Sequence, residues 1–269
     1  MPSADYQDLL ASACELAVRA GKIVMDRWGS AASRRKDDGS LVTEADEAAQ
    51  ECIVQAIQKR YPHHDILAEE RMDGVGPLGG GEYCWAVDPI DGTRSYARGF
   101  PCFATSIGVL ERGIPVAGVV LEHTTGQQYC ATAGGGATVQ GVPIHVAERP
   151  LTLDFMVGVP STKVGERPTA IQRLVERVNV RNSGSTAVHM ALVATGALDA
   201  AFAGRCHCWD VAAGYLLVVE AGGVCTALDG GPLLPLPPAP DPRGRTPYLA
   251  TGPHAHAAIL DLAFPAEGA

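Results

Sequence analysis

The chain has 269 residues, 46% of them hydrophobic, enough to bury a large core as one big domain or two smaller ones. Glycine and alanine are common and aromatics make up only 6%, which suits close helix-sheet packing. The formal net charge of -9 argues against general nucleic-acid binding, since the densest basic cluster is only Arg34-Arg35-Lys36.

Apolar residues recur at helical spacing from Leu9 to Trp28, which predicts an amphipathic helix over 5–28 that Gly29 ends. A polar loop is expected over 33–40. A second helix is expected from about Glu44 to Arg60, with Thr43 as N-cap, Asp46 at N3 and a stop at Tyr61-Pro62. Residues 65–68 read as a short strand ending in Glu69-Glu70, and 71–81 as a mobile glycine-rich loop. A strand over 83–87 and a short helix over 93–97 come next. Strands over 103–110, 114–121, 127–132 and 137–144 then form a meander, apolar enough to be covered on both faces.

From about residue 151 strands and helices alternate, an α/β pattern. Strands are expected over 153–159, 178–182, 198–203 and 223–228, and helices over 168–178, 185–196 and 209–221. A proline- and glycine-rich surface loop over 229–247, a strand over 248–251 and a helix over 254–263 close the chain. A soft boundary near 148 separates an N-terminal α+β half (1–148) from a C-terminal α/β half (149–269) that completes the same structural unit.

The eight cysteines are scattered, with no CxxC and no zinc-finger spacing. Cys206-His207-Cys208 lacks a second pair for a soft metal. Reduced core thiols of a cytoplasmic protein are the expectation. No apolar run reaches the roughly 20 residues of a membrane span, and Met1-Pro2-Ser3-Ala4-Asp5 does not read as a signal peptide.

The chemistry centres on Trp85-Ala86-Val87-Asp88-Pro89-Ile90-Asp91-Gly92-Thr93. Asp88 and Asp91 follow directly on a strand and can face one point. Two ionised carboxylates that close conflict, and a hard divalent cation such as magnesium removes the conflict. A plain acidic turn at Asp91-Gly92 is the alternative. Gly92 and Thr93 open a short helix whose amides can hold a phosphate oxygen. The aspartyl-phosphate motif Asp-x-Asp-Gly-Thr fits poorly, because one residue too many separates the aspartates. Glu69 reaches the same point if the strands over 65–68 and 83–87 lie side by side. Asp210 stands at the start of a helix, as a cap or as a distal ligand.

With these motifs in this order, the chain resembles the inositol monophosphatase family. The resemblance rests on Trp85–Thr93, Gly99-Phe100-Pro101, Gly184-Ser185-Thr186-Ala187, and Trp209-Asp210 with Glu220-Ala221-Gly222-Gly223. Lys36, Val42-Thr43-Glu44-Ala45-Asp46, Ala68-Glu69-Glu70 and the glycines Gly134, Gly136 and Gly141 extend it, from about residue 8 to 262. It implies a layered αβαβα sandwich and a site with two or three Mg2+ ions. By position, Glu69, Asp88, the Ile90 carbonyl, Asp91 and Asp210 resemble the metal ligands. Thr93 and Asp46 resemble the pair that orients the attacking water, with Glu70 in a supporting role. The implied reaction is direct attack of a metal-activated water on a phosphate monoester, with no covalent phosphoenzyme. Lithium sensitivity and a homodimer are also implied.

The resemblance leaves the leaving alcohol open. Ala203 takes the position of the family's sugar-contacting glutamate, while Arg94, Gly184, Ser185, Thr186 and Arg205 remain candidate substrate contacts. Inositol 1-phosphate or a similar small polyol phosphate is the first expectation. Histidinol phosphate comes next, because Arg94 follows Asp-Gly-Thr. Fructose 1,6-bisphosphate, 3'-phosphoadenosine 5'-phosphate, or a low-turnover regulatory role complete the set.

Overall fold

A computed structural model of the protein describes residues 3–36, 39–70, 80–162, 168–236 and 244–265. Helix α1 (Ala4–Asp26) starts where the Ser3 side chain accepts a hydrogen bond from the Asp5 amide. Leu9, Ala13, Leu16, Ala17, Ala20 and Val24 form its buried stripe, at the three- and four-residue spacing of an amphipathic helix. The polar segment after it is more than a loop. Strands β1 (Ser33–Arg35) and β2 (Leu41–Thr43) pair antiparallel, with Ser33 opposite Thr43. All of β1 is exposed, so no apolar alternation marks it in the sequence. Helix α2 (Glu44–Arg60) opens on a capping box: Thr43 Oγ1 accepts from the Ala45 and Asp46 amides, and the Asp46 carboxylate accepts from the Thr43 amide.

The first sheet comprises β3 (Asp65–Ala68), β4 (Tyr83–Asp91), β5 (Ala104–Glu111), β6 (Ile114–Glu122), β7 (Gln128–Thr132), β8 (Gly136–Val139) and β9 (Val142–Pro143), in that spatial order. The six-residue helix α3 (Thr93–Arg98) interrupts it after β4. β3 runs parallel to β4, and each later strand is antiparallel to its neighbour. The strand expected over 83–87 continues to Asp91. The one expected over 137–144 divides at Gln140-Gly141, where φ is 50° and 76°, into the two arms of a hairpin. Residues 71–79, most of the expected glycine-rich loop, lie outside the described residues.

The second sheet is built from β10 (Met156–Gly158), β11 (Asn179–Arg181), β12 (Ala200–Ala203), β13 (Val224–Thr226) and β14 (Tyr248–Thr251), in the order β11-β10-β12-β14-β13. The first three are parallel, and β14 is antiparallel to both neighbours. Between them come α4 (Thr169–Val175), α5 (Thr186–Ala194) and α6 (Cys208–Glu220), and α7 (His256–Ala263) follows β14. The strands expected over 153–159 and 223–228 are shorter than their apolar runs. Pairing, not hydropathy, sets strand length: β10 pairs only over residues 156–158.

Packing sorts these elements into layers. Leu16 and Ala20 of α1 and Ile53 of α2 pack on Trp85, Val87, Ile107 and Val119 of the first sheet. α5 and α6 fill the space between the sheets, where Met190, Val193 and Leu217 meet Val120 and Tyr129 on one side and Ala201 and Tyr248 on the other. Leu174 of α4 and Ile259 of α7 cover the outer face of the second sheet with Phe155, Val157 and Phe202. The alternation along β12 fits this: Ala201 and Ala203 belong to the inner cluster, Ala200 and Phe202 to the outer. The result is a layered αβαβα sandwich. α6 lies so close to β5 that a Cβ on Gly108 would come within 2.7 Å of the Ala212 Cβ.

Candidate active site

The end of β4 is irregular, and the irregularity makes the site. Asp88 pairs with Ser106 and Asp91 with Ala104, so Pro89 and Ile90 together face the single residue Thr105. In a regular strand, residues three apart point to opposite faces. The extra residue of this bulge brings both aspartates to one side. Proline tolerates the position because it has no N–H to lose from the ladder. The freed carbonyls find side chains instead. Pro89 O accepts from Thr105 Oγ1 at 2.8 Å, and Ile90 O accepts from Thr93 Oγ1 at 3.1 Å.

Asp210 enters from α6, where its Oδ2 accepts the His207 amide at 2.7 Å in the first turn. Asp88, Asp91 and Asp210 each place one carboxylate oxygen within 4.8 Å of the others. Glu69 joins from β3, which pairs with β4 so that Ala68 lies opposite Val87. The Glu69 amide donates to Val87 O at 3.1 Å, and its carboxylate lies against that of Asp88. Burial raises the Asp88 pKa well above the carboxylate range, and the charges of Glu69, Asp91 and Asp210 add to it. Burial likewise raises Asp210, with Asp91 and Glu69 adding to it. Asp91 is pushed to about 6 by burial, partly offset by hydrogen bonds from Ser185 Oγ at 2.6 Å and the Ala187 amide at 2.5 Å.

This donor set suits a divalent cation. Asp88 Oδ1 is buried with no hydrogen-bond partner among the described residues, which is costly unless something answers it. The donors are all oxygen, the choice of hard cations. The residues therefore fit a metal such as magnesium or calcium and not a soft one.

Beside the cluster stands a hydroxyl-carboxylate pair. Thr93 Oγ1 lies 3.2 Å from Asp46 Oδ1. The other Asp46 oxygen accepts the Thr43 amide at 2.8 Å and the Thr43 hydroxyl at 2.5 Å. Burial raises the Asp46 pKa to about 6, against the lowering effect of those Thr43 bonds. Glu70 is pushed to about 7 by burial and by Glu69, with Lys36 pulling the other way. Lys36 Nζ donates to Glu69 Oε1 at 3.0 Å and Glu70 Oε1 at 2.5 Å. Burial opposes the Lys36 charge, but these two carboxylates prevail and raise its pKa.

A cavity of about 220 Å³ adjoins the cluster, lined by Asp91 and Asp210 and by Ser161, Gly184, Ser185, Thr186, Ala203 and Arg205 among others. Ser185 caps α5, accepting the Val188 amide at 3.1 Å, and gives its proton to Asp91. Arg94 is exposed and is not among the cavity-lining residues. Gly92 has φ 102° and opens α3, a conformation that disfavours any other residue. A larger open groove of about 570 Å³ involves Arg19, Glu51, Cys52 and Lys59 but none of the converging carboxylates.

Some contributors escaped the sequence reading. Gln50 is fully buried and clamps the Glu70 backbone, donating to its carbonyl at 2.6 Å and accepting from its amide at 2.8 Å. A polar residue four positions after Asp46, inside the stripe Asp46, Ile53 and Ile57, was the available signal. Thr105, His189 and Ser161 were also missed, because nothing in their local sequence sets them apart.

The model of the inositol monophosphatase family matches residues 5–261. An inositol-1-monophosphatase from Synechocystis is 36% identical over 85% of this chain and 82% of its own length. A fructose-1,6-bisphosphatase/inositol-1-monophosphatase from Thermotoga maritima is 34% identical over 83% of this chain and 86% of its own. The structure of an inositol monophosphatase from Anabaena superposes with a TM-score of 0.81 at 30% identity, covering 97% of this chain and 96% of that one. Layered fold and acidic cluster together define a metal-dependent hydrolase of phosphate monoesters. The chain belongs to the inositol monophosphatase family.

Proposed function

We propose that this enzyme hydrolyses the phosphate ester of a small polyol, inositol 1-phosphate first, with Mg2+ as its cation and water as the direct nucleophile. The convergence of Asp88, Asp91 and Asp210 beside the cavity carries the reading. Two or three Mg2+ ions held by Glu69, Asp88, the Ile90 carbonyl, Asp91 and Asp210 would neutralise the phosphate and acidify water.

The chain's own residues supply position and proton transfer. Thr93 takes a proton from the attacking water as it passes its own to Asp46, 3.2 Å away. A carboxyl with a pKa near 6 suits that role close to neutral pH. The Gly92 and Thr93 amides serve the phosphate oxygens. Lys36 and Glu70 hold Glu69 in place. Water attacks phosphorus in line with the ester oxygen, whose bond breaks; that oxygen takes a proton from solvent water, which Asp46 replaces on returning its own, and leaves into the cavity as the alcohol. Phosphoryl transfer has a loose transition state, so positioning and charge carry most of the rate.

The cavity wall favours a polyol. Ser161 and Thr186 offer hydroxyls, whereas Ala203 adds no carboxylate contact to a polyol. The ammonium of histidinol phosphate would meet Arg205 on that wall, and the exposed Arg94 gives that substrate no support. A second reading, a bisphosphorylated sugar, draws on Arg205 and on the bisphosphatase named among the relatives, that of Thermotoga. Lithium inhibition, a homodimer and a cytoplasmic location go with the primary reading.

Phosphate release would be measured with inositol 1-phosphate, histidinol phosphate, fructose 1,6-bisphosphate and 3'-phosphoadenosine 5'-phosphate, each with Mg2+ and with EDTA. Inositol 1-phosphate should give the highest kcat/KM, and EDTA should abolish release. Preference for fructose 1,6-bisphosphate would select the second reading. No turnover on any substrate would point to a regulatory role, and a trapped phosphoaspartate would refute direct attack.

A further inference from the structure

The cysteines of this chain differ sharply in setting. Cys84, Cys206 and Cys208 are buried, and burial raises each thiol's pKa and leaves it inert. Cys14 and Cys130 are different. They are 116 residues apart in sequence, on α1 and β7, yet their Sγ atoms lie 3.4 Å from each other. Both are only partly buried, at the edge of the core between α1 and the first sheet. Their neighbours fix the approach: α1 lies on β6 and β7, and Gln128 of β7 reaches the Cys14 carbonyl at 3.5 Å.

We propose that Cys14 and Cys130 form a redox-active dithiol, oxidised by low-molecular-weight disulfides to a bond that staples α1 to the first sheet. A disulfide needs its sulfurs about 2.05 Å apart, so the thiols must close by little more than an ångström. The contact with Cys130 lowers the Cys14 pKa, which favours Cys14 as the attacking thiolate. Its sulfur attacks the small disulfide, forming a mixed disulfide and releasing one small thiol. The Cys14 contact and burial raise the Cys130 pKa, so Cys130 gives up its proton to the departing small thiolate as its sulfur attacks that of Cys14, forming the protein disulfide and releasing the second small thiol. Two protein thiols are oxidised and one small disulfide is reduced to two thiols, with the protons retained by those thiols.

The bond would close a long loop and so act chiefly by restricting the unfolded chain. It lies on β7, while Asp88 and Asp91 are carried by β4, with β5 and β6 between. Its effect should therefore fall on stability and not on turnover.

The test incubates the full-length protein with glutathione disulfide and follows intact mass, peptide mapping without reductant and thermal melting. The expected product has lost the mass of two hydrogens, carries one Cys14–Cys130 cross-linked peptide, and melts about 5 °C or more higher. Dithiothreitol should reverse each change. Cys14→Ser and Cys130→Ser should each block the cross-link and the rise in melting temperature, and phosphate release should stay within about twofold in the oxidised protein. A terminal product that carries glutathione on these cysteines, a cross-link that maps elsewhere, or a rise in melting temperature that persists in Cys14→Ser would overturn the proposal. Because the readouts are mass and melting, they stand apart from any choice of substrate.

Discussion

Asp88 and Asp210 are buried carboxylates pressed against others of the same charge, and their pKa values rise accordingly. Asparagine keeps the shape and removes the charge. Asp88→Asn and Asp210→Asn are expected to lower kcat by about 100-fold or more. The metal-free variants should also melt higher than the metal-free parent, because a buried like charge is gone. Full turnover in either variant would remove that residue from the site. The same crowding sets a pH dependence. A carboxyl with a raised folded-state pKa binds its proton more tightly folded than unfolded, so stability is lost as pH rises through the folded value. Glu70, raised to about 7, acts between the ordinary carboxylate range and neutrality, and the strongly raised Asp88 and Asp210 act in the same sense upward from that range. His123 and His189, lowered to about 4 by burial, work in the opposite sense but only below the ordinary histidine value of 6.5. In EDTA the melting temperature should therefore fall as pH rises from 6.5, where the histidines cease to oppose the carboxyls, through the Glu70 value of about 7. Saturating Mg2+ should flatten that slope, and a melting temperature that rises with pH in EDTA would contradict the assignment.

At the scale of elements, two short features position the chemistry. The first is the capping box of α2, where Thr43 both starts the helix and holds Asp46 toward Thr93. Thr43→Ala should cost about 1–2 kcal/mol of stability and reduce kcat more than it raises KM. Thr43→Ser should restore both, as chemical denaturation and steady-state kinetics would show. This feature was legible in the sequence, because a capping box has a fixed spacing. The second feature, the bulge at Pro89-Ile90, was not. Periodicity ends where a bulge begins, so the strand was expected to stop at residue 87, and the two aspartates were grouped by spacing alone. β1 escaped notice for a related reason: a fully exposed strand has no buried face to leave a pattern.

At the scale of the whole molecule, the site exists only because distant segments meet. Asp210 reaches Asp88 and Asp91 from the first turn of α6, in the layer between the sheets, and Ser185 at the start of α5 donates to Asp91. Local sequence could nominate each carboxylate, since acidic residues at the ends of apolar runs stand out. It could not pair them, because that depends on β3 lying parallel to β4 and on α6 packing against Gly108. Family resemblance supplied the pairing that spacing could not. Substrate contacts were the least legible, because a cavity wall of Ser161, Thr186, Ala203 and Arg205 draws single residues from separate loops and strands.

The central claim is that Asp88, Asp91 and Asp210 hold the cation on which phosphate release depends. EDTA-stripped protein titrated with Mg2+ by calorimetry, with phosphate release assayed at each point, tests it directly. Heat of binding and turnover should rise together in the parent protein, and both should be lost or moved to at least about tenfold higher Mg2+ in Asp210→Asn. Release without added metal, or Mg2+ binding of unchanged affinity in Asp210→Asn, would contradict the claim.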